Sequence, residues 1–261
     1  MSNTYLNFIS DQDLFSVINT VFVNFEKKYK KFNINEFEKN LIDPFSLIFS
    51  EKLLNITDKE WFDLEIIRKK TKSLSNYIGT FQEELLGCAA DYHRFKVNEK
   101  GANSMDLIKN DNTVFADIKN KYNTIKGSDR YSVFNNLQKM TDKYSYLNAK
   151  GYYVEIISKE SVCENWKFTS RGKQYCDKNI YRISGDKFYS LVFGVDDAFY
   201  QVIMALPIAL TDFINQNNIS LNFVNDTFNY NDLLIGATEK TNLYEKICFD
   251  VFKSYDGFEK K

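Results

Sequence analysis

No feature constrains the fold of this chain more than the run Val114-Phe115-Ala116-Asp117-Ile118-Lys119. Successive side chains of a strand point to opposite faces, so a strand with one solvated face alternates apolar with polar residues. Here three consecutive residues are apolar, which places both faces of the strand in protein and the strand inside a sheet. Asp117 and Lys119 follow at once, two apart and therefore on one face, with Ile118 turned the other way. Charges at the end of a buried strand are expensive unless something compensates them. The plain alternative is an edge hairpin whose solvent face carries alternating charge. Residues 104–108 and 114–121 are expected to pair as strands, joined through the turn-forming Asn110-Asp111-Asn112.

The rest of the chain alternates between helical and strand patterns. Residues 152–158 (YYVEIIS) are the clearest further buried strand. Residues 180–194 read as two more strands split by Ser184-Gly185-Asp186, the second at 188–193, and a last one is expected at 220–224. Apolar residues at helical spacing (Leu14, Val17, Ile18, Val21, Phe22, Phe25) predict a helix over 11–32. Another starts near Asn35 and is interrupted by Pro44, after which 45–54 resumes. Thr57 and Glu60 form a capping-box signal for a helix running through Arg68. Ile78, Phe81, Leu85 and Ala89 stripe a separate helix over 75–90. Further helices are expected at 128–144, at 196–216 around Pro207, and in pieces at 230–234 and 242–252. Helices, then a strand-rich middle, then helices predict an α/β fold, with an N-terminal helical region (1–74) packed on a core (75–261).

Composition narrows the class. The charges nearly cancel, 34 basic against 35 acidic, so the chain is no general polyanion-coating protein. A nucleic-acid enzyme is still allowed, because basic groups need only line a cleft. The first twenty residues lack the basic start and apolar core of a signal peptide. Apolar stretches such as 202–210, broken by Pro207, fall short of a membrane span. Four cysteines without CxxC spacing predict free, buried thiols in a reducing cytoplasm.

The strand pair folds Asp106 back against Asp117. Two carboxylates on one face repel unless a cation lies between them, and Mg²⁺, a hard ion that takes oxygen ligands, suits them. Such an ion holds a phosphate and activates water, and Lys119 is placed to orient that water or offset charge on the phosphate. Asp106, Asp117 and Lys119 are thus candidate catalytic residues, the two aspartates also candidate metal ligands.

Tyr77-Ile78-Gly79-Thr80-Phe81-Gln82, then Ser104-Met105-Asp106, then Asp117-Ile118-Lys119-Asn120-Lys121-Tyr122-Asn123-Thr124 resemble type II restriction endonucleases of the PD-(D/E)xK superfamily. The resemblance is greatest to the subgroup cutting GGNCC or the narrower GGWCC. Ile183-Ser184-Gly185-Asp186-Lys187-Phe188-Tyr189 and Leu191-Val192-Phe193-Gly194 extend it over roughly residues 76–215. Met105 stands where the superfamily name has proline, and the second acid is Asp rather than Glu. The resemblance implies a PD-(D/E)xK nuclease core with a central mixed β-sheet flanked by helices. It also implies Mg²⁺ dependence, a homodimer cutting a palindrome in double-stranded DNA to 5'-phosphate ends, and a cognate DNA methyltransferase as genetic partner. A catalytically silent DNA-binding module and a structure-specific nuclease are the alternatives on the same scaffold.

Several other residues are candidates for the site. Gln82, Glu83 and Glu84 precede the motif on a helix where this superfamily often adds another acidic or polar group; helical geometry turns Gln82 inward and leaves the glutamates on a solvated face, and Glu83 adds a metal ligand only if the helix is rotated from that estimate. Asn120, Lys121 and Asn123 are either a polar turn or, by the resemblance, close to DNA. Arg130, Lys139, Lys143, Arg171, Lys173, Lys178 and Arg182 are candidates for backbone or guanine contacts. His93, the single histidine, has no zinc partners at ligand spacing and reads as a satisfied or surface residue.

Overall fold

The computed structural model describes residues 3–30, 33–39, 41–94, 105–125, 127–219, 230–231 and 243–252 of the 261. They fall into two compact units, one formed by Met1–Phe22 with Tyr77–Ile219, the other by Val23–Asn76 with Ser220–Lys261.

The first unit holds a six-stranded sheet in the order β1-β2-β3-β4-β8-β5. Its strands are β1 (Tyr92–Arg94), β2 (Leu107–Lys109), β3 (Val114–Lys121), β4 (Lys150–Ile157), β5 (Cys163–Asn165) and β8 (Ile180–Ser184). β3 pairs antiparallel with β2 and parallel with β4, and β4 pairs parallel with β8; the outer pairings β1–β2 and β5–β8 are antiparallel. The expected mixed sheet flanked by helices is therefore present. β6 (Phe168–Ser170) and β7 (Lys173–Tyr175) form a separate two-stranded ribbon.

Each face of the sheet has its own core. Val114, Ala116 and Ile118 of β3 and Tyr152, Val154 and Ile156 of β4 pack on one side with residues of α1 (Asp11–Lys30), the end of α4 (Asp58–Leu86), α6 (Gly185–Phe193) and α7 (Ala198–Gln216). Phe115 and Tyr153 point the other way, against Phe134 and Leu137 of α5 (Gly127–Lys143) and against Trp166 and Phe168. The three apolar residues before Asp117 are buried on both faces because both faces are covered.

The second unit is helical: α2 (Ile34–Glu38), α3 (Pro44–Leu54), the first part of α4 and α8 (Leu243–Val251). Its core gathers Phe37, Leu47, Trp61, Phe62, Ile66, Leu243 and Ile247. Pro44 starts α3 rather than breaking it, where its missing N–H is harmless. The Asp43 carboxylate caps the same helix, accepting from the Phe45 N–H at 3.0 Å. Thr57 and Glu60 form the expected reciprocal box: the Thr57 N–H donates to Glu60 at 2.8 Å, and the Glu60 N–H donates back to Thr57 Oγ1 at 3.3 Å.

Several expectations are corrected. Residues 185–193 are helix α6, not a strand; Phe188, Tyr189 and Val192 fall on one helical face, and a short apolar run has no periodicity to tell the two apart. The helix through Arg68 and the one from Ser75 are a single helix, α4, since the polar stretch between them contains no breaker. Met105 and Asp106 precede β2 rather than lying in it. Cys163 and Cys176 are free as expected but exposed, not buried. α7 is long and apolar enough to cross a membrane by length and composition, yet Ala198, Val202, Ala209 and Phe213 are buried in the sheet's core. Residues 220–224 and 232–234 lie outside the described residues.

Gly185 is where α6 meets β4. A Cβ there would collide with the Ile156 carbonyl, whereas one at Gly79 on α4 meets nothing. Gly185→Ala is expected to cost about 1–3 kcal/mol. Gly79→Ala is expected to be neutral or to stabilise by about 0.5–1 kcal/mol, since it removes backbone freedom from a helix interior. Urea midpoints of the two variants check this; equal midpoints would contradict the packing described for α6.

Candidate active site

β3 is the strand that carries the site. Asp117 and Lys119 leave it on the α5 face, the face of Phe115, and Asp106 reaches them from the chain just ahead of β2. Two backbone contacts fix Asp106. Its N–H donates to the Ala116 carbonyl at 2.9 Å, and its Oδ2 accepts from the Ile118 N–H at 2.7 Å. The carboxylate thus replaces the next rung of the β2–β3 ladder and is held rigidly beside Asp117.

The Lys119 ammonium lies between the two acids, 2.5 Å from Asp117 Oδ1 and 3.6 Å from Asp106 Oδ2. That ammonium is the partner of the buried Asp117 Oδ1, which no other donor reaches. Burial pushes the Asp117 carboxyl up to about 6, with Asp106 adding to the effect and Lys119 opposing it. Burial alone would lower the Lys119 pKa; Asp117, Asp106 and Glu83 together hold it above the ordinary lysine value.

The preceding helix adds a third acid. Glu83 on α4 lies within electrostatic reach of Asp106 and Lys119, and its pKa is raised by burial first and by Asp106 second. Gln82 instead accepts a bond from the Tyr189 hydroxyl at 2.5 Å and serves the core. Neither Glu83 nor Glu84 is on a solvated face, as the sequence suggested. Arg94 of β1 ties them down, its Nε and Nη2 donating to Glu83 Oε2 (2.9 and 2.6 Å) and its Nη1 to Glu84 Oε1 (2.9 Å). Both bonds to Glu83 end on Oε2, so Oε1 lies outside the fork. No residue pattern pointed to Arg94, since only the turn after α4 brings it back to a residue eleven positions earlier.

Other candidates separate cleanly. Lys121 and Asn123 are exposed and Asn120 half-buried where β3 ends. Thr124 shapes that end: its Oγ1 donates to the Lys121 carbonyl at 2.7 Å and accepts from the Lys121 N–H at 3.2 Å. Arg182 is paired within the protein, to Glu155 on β4 (2.9 Å) and to Glu164 (3.3 Å). His93 Nδ1 is satisfied by Asn110 Oδ1 at 2.7 Å.

Among the described residues no group of three or more His, Cys, Asp or Glu side chains is already gathered at metal-ligand spacing. Asp106 and Asp117 nevertheless fit a hard cation: both are carboxylates, Asp106 is fixed by the Ile118 N–H, and the two already converge on one positive charge, the Lys119 ammonium.

The model of the Eco47II restriction endonuclease family matches residues 6–215. The chain belongs to that family. Membership makes it a site-specific DNA endonuclease. It is 36% identical over 222 residues to the type II restriction enzyme Sau96I of Staphylococcus aureus, covering 82% of this chain and 83% of the relative. It is 31% identical over 212 residues to the type II restriction enzyme Eco47II of Escherichia coli, covering 78% and 86%. The family match reaches further back than the motifs that suggested it, taking in α1 and the first helices of this endonuclease.

The raised pKa of Asp117 has a sign that can be checked. In the metal-free endonuclease this group favours folding below its unfolded value of about 3.9 and loses that contribution as pH rises through about 6. A proton and a cation compete for the same carboxylate, so Ca²⁺ affinity measured by calorimetry should fall as pH drops through about 6. Asp117→Asn should abolish that step; an affinity independent of pH in the wild type would count against Asp117 as a ligand.

Proposed function

We propose that this endonuclease cuts double-stranded DNA within a GGNCC-like palindrome by Mg²⁺-dependent phosphodiester hydrolysis, acting as a homodimer. The observation that carries the reading is the cluster of Asp106, Asp117 and Lys119, with the Lys119 ammonium seated between two carboxylates at the end of a buried strand. Asp106 and Asp117 would hold the metal, and Glu83 stands next to them as a further acid. When bound, the ion supplies Lewis acidity toward the scissile phosphate and its attacking water.

The chain's own residues do the rest. Lys119, kept protonated by the surrounding carboxylates, orients the attacking water and offsets the negative charge on the oxygens of the pentavalent phosphate. Attack by water oxygen breaks the bond to the 3' oxygen, which leaves as a hydroxyl, and the phosphate stays on the 5' end. Lys121 continues the face of Asp117 and Lys119 and is exposed, which supports a contact with the neighbouring phosphate; Asn120 and Asn123, at the same strand end, would lie close to the duplex.

A palindrome is most simply cut by two copies related by its own two-fold axis, which supports the homodimer. The GGNCC assignment is supported by the string Asn120–Thr124 read with the family membership. A site-specific endonuclease implies a cognate DNA methyltransferase that protects the host, and a cytoplasmic location in a bacterium. The intact Asp106, Asp117 and Lys119 speak against a silent DNA-binding module, since loss of activity in such scaffolds leaves no reason to keep a buried charged set.

Plasmid digestion with Mg²⁺, followed by sequencing of the ends, tests the reading. Discrete fragments that end inside GGNCC-type sites are expected, with no cleavage in Ca²⁺; a smear of random ends would sink it. Lys119→Ala should fold normally and lose about two orders of magnitude or more in rate. A rate that merely tracked the folded fraction would contradict its role.

A further inference from the structure

The reaction described above leaves the ribbon β6–β7 without a task. Its register (Phe168↔Tyr175, Thr169↔Gln174, Ser170↔Lys173) leaves Arg171 and Gly172 as a two-residue turn, both at positive φ (50° and 74°). That is the geometry of a tight hairpin whose twist matches its strands. Left-handed backbone is uncommon for a residue such as arginine, so Arg171 is held at the tip by the hairpin itself.

One face of the ribbon is rooted and the other is bare. Phe168 packs on Trp166 (4.9 Å) and Phe134 (5.6 Å), and Tyr175 stacks on Phe168 (5.3 Å). Thr169 and Gln174 form the bare face and Arg171 the tip, all exposed; Lys173, also exposed, shares the face of Tyr175, with its ammonium 5.6 Å over that ring. The segment 167–176 (KFTSRGKQYC) contains Lys167, Arg171 and Lys173 and no acid, in a chain whose net charge is -1. A rigid, cationic, hydrogen-bonding projection of this kind has no use in the core.

Its position follows from α5. Tyr175 meets Tyr131 (5.2 Å) and Phe134 (6.0 Å), and the Asp177 carboxylate accepts from Gln138 (3.3 Å). β7 therefore runs alongside α5 in the same direction, and the turn ahead of β7 lies at the N-terminal end of that helix. α5 begins just after the turn that ends β3, so this is the end of the sheet where Lys119 and Lys121 emerge. The face agrees too: Trp166 stacks on Tyr153 at 4.3 Å, and Tyr153 is the register partner of Asp117.

We infer that the β6–β7 ribbon enters the major groove and reads the guanines of the recognition site, with Arg171 and Lys173 donating to guanine O6 and N7. The groove of B-DNA is wide enough for a two-stranded ribbon, and Arg or Lys on guanine O6 and N7 is the commonest base-specific contact. Gln174 and Thr169, opposite each other on the bare face, add the next hydrogen-bonding positions along the groove. The inference rests on the endonuclease reading; the identity of the bases rests on the GGNCC assignment.

The test uses the whole 261-residue chain in Ca²⁺, with binding measured on duplexes carrying guanine N7-methyl groups. Arg171→Asn, which tolerates the left-handed turn, and Lys173→Ala are compared with wild type at equal thermal midpoints. In the wild type, N7-methylation of particular guanines should block binding. Each variant should lose the block at one of them and lose about 10- to 100-fold in discrimination between specific and scrambled duplexes. Equal losses on both duplexes, with the methylation pattern unchanged, would reduce Arg171 and Lys173 to phosphate contacts and overturn the proposal. The bound sequence itself is fixed by selecting from a randomised duplex pool with wild type. If that pool yields a guanine-containing site other than GGNCC, the sequence assignment fails while the ribbon is still judged by the variants on the selected site.

Discussion

Everything at the site depends on β3 being an interior strand that ends in charge. It is paired on one side with β2 and on the other with β4, and both its faces are covered up to Ala116. Asp117 cannot leave that position, so its carboxylate is partly stripped of water and pressed against Lys119. Asp106 is held by the same pairing, through the Ile118 N–H. A pre-formed cluster of this kind does not have to be assembled when DNA arrives, which is what electrostatic catalysis requires.

Much of this could be read from the residues alone. Val114-Phe115-Ala116 announced a buried strand, its alternation put Asp117 and Lys119 on one face, and the Asn110–Asn112 turn folded Asp106 back. What could not be read lay in tertiary contacts. Whether Gln82 or Glu83 faced the site depended on a few tens of degrees of helix rotation, and the Tyr189 hydroxyl decided it by taking Gln82. Arg94 and Arg182 are similar in sequence context, a cation within or beside a short strand. Yet one clamps the acids next to the site and the other neutralises Glu155. Residues 188–193 satisfy strand and helix patterns equally; in the structure they form a helix that starts at Gly185 tight against β4 and buries Phe188, Tyr189 and Val192.

The near-neutral charge of the chain is resolved by where the charges lie. Carboxylates from three segments, Glu83, Asp106 and Asp117, gather at the site, while the basic residues of the ribbon are exposed, with no acid among them. A protein can therefore bind a polyanion without a basic composition, provided that its cations are confined to the contacting surface.

The central claim is that Asp106 and Asp117 form a divalent-metal centre at the scissile phosphate. The most direct measurement is the anomalous scattering of Mn²⁺ in a crystal of the endonuclease bound to uncleaved duplex. The account predicts a peak between the Asp106 and Asp117 carboxylates, against a DNA phosphate, with Lys119 displaced from Asp117 Oδ1. A saturated crystal in which Mn²⁺ occupies other residues, with Lys119 still paired to Asp117 beside the phosphate, would contradict it.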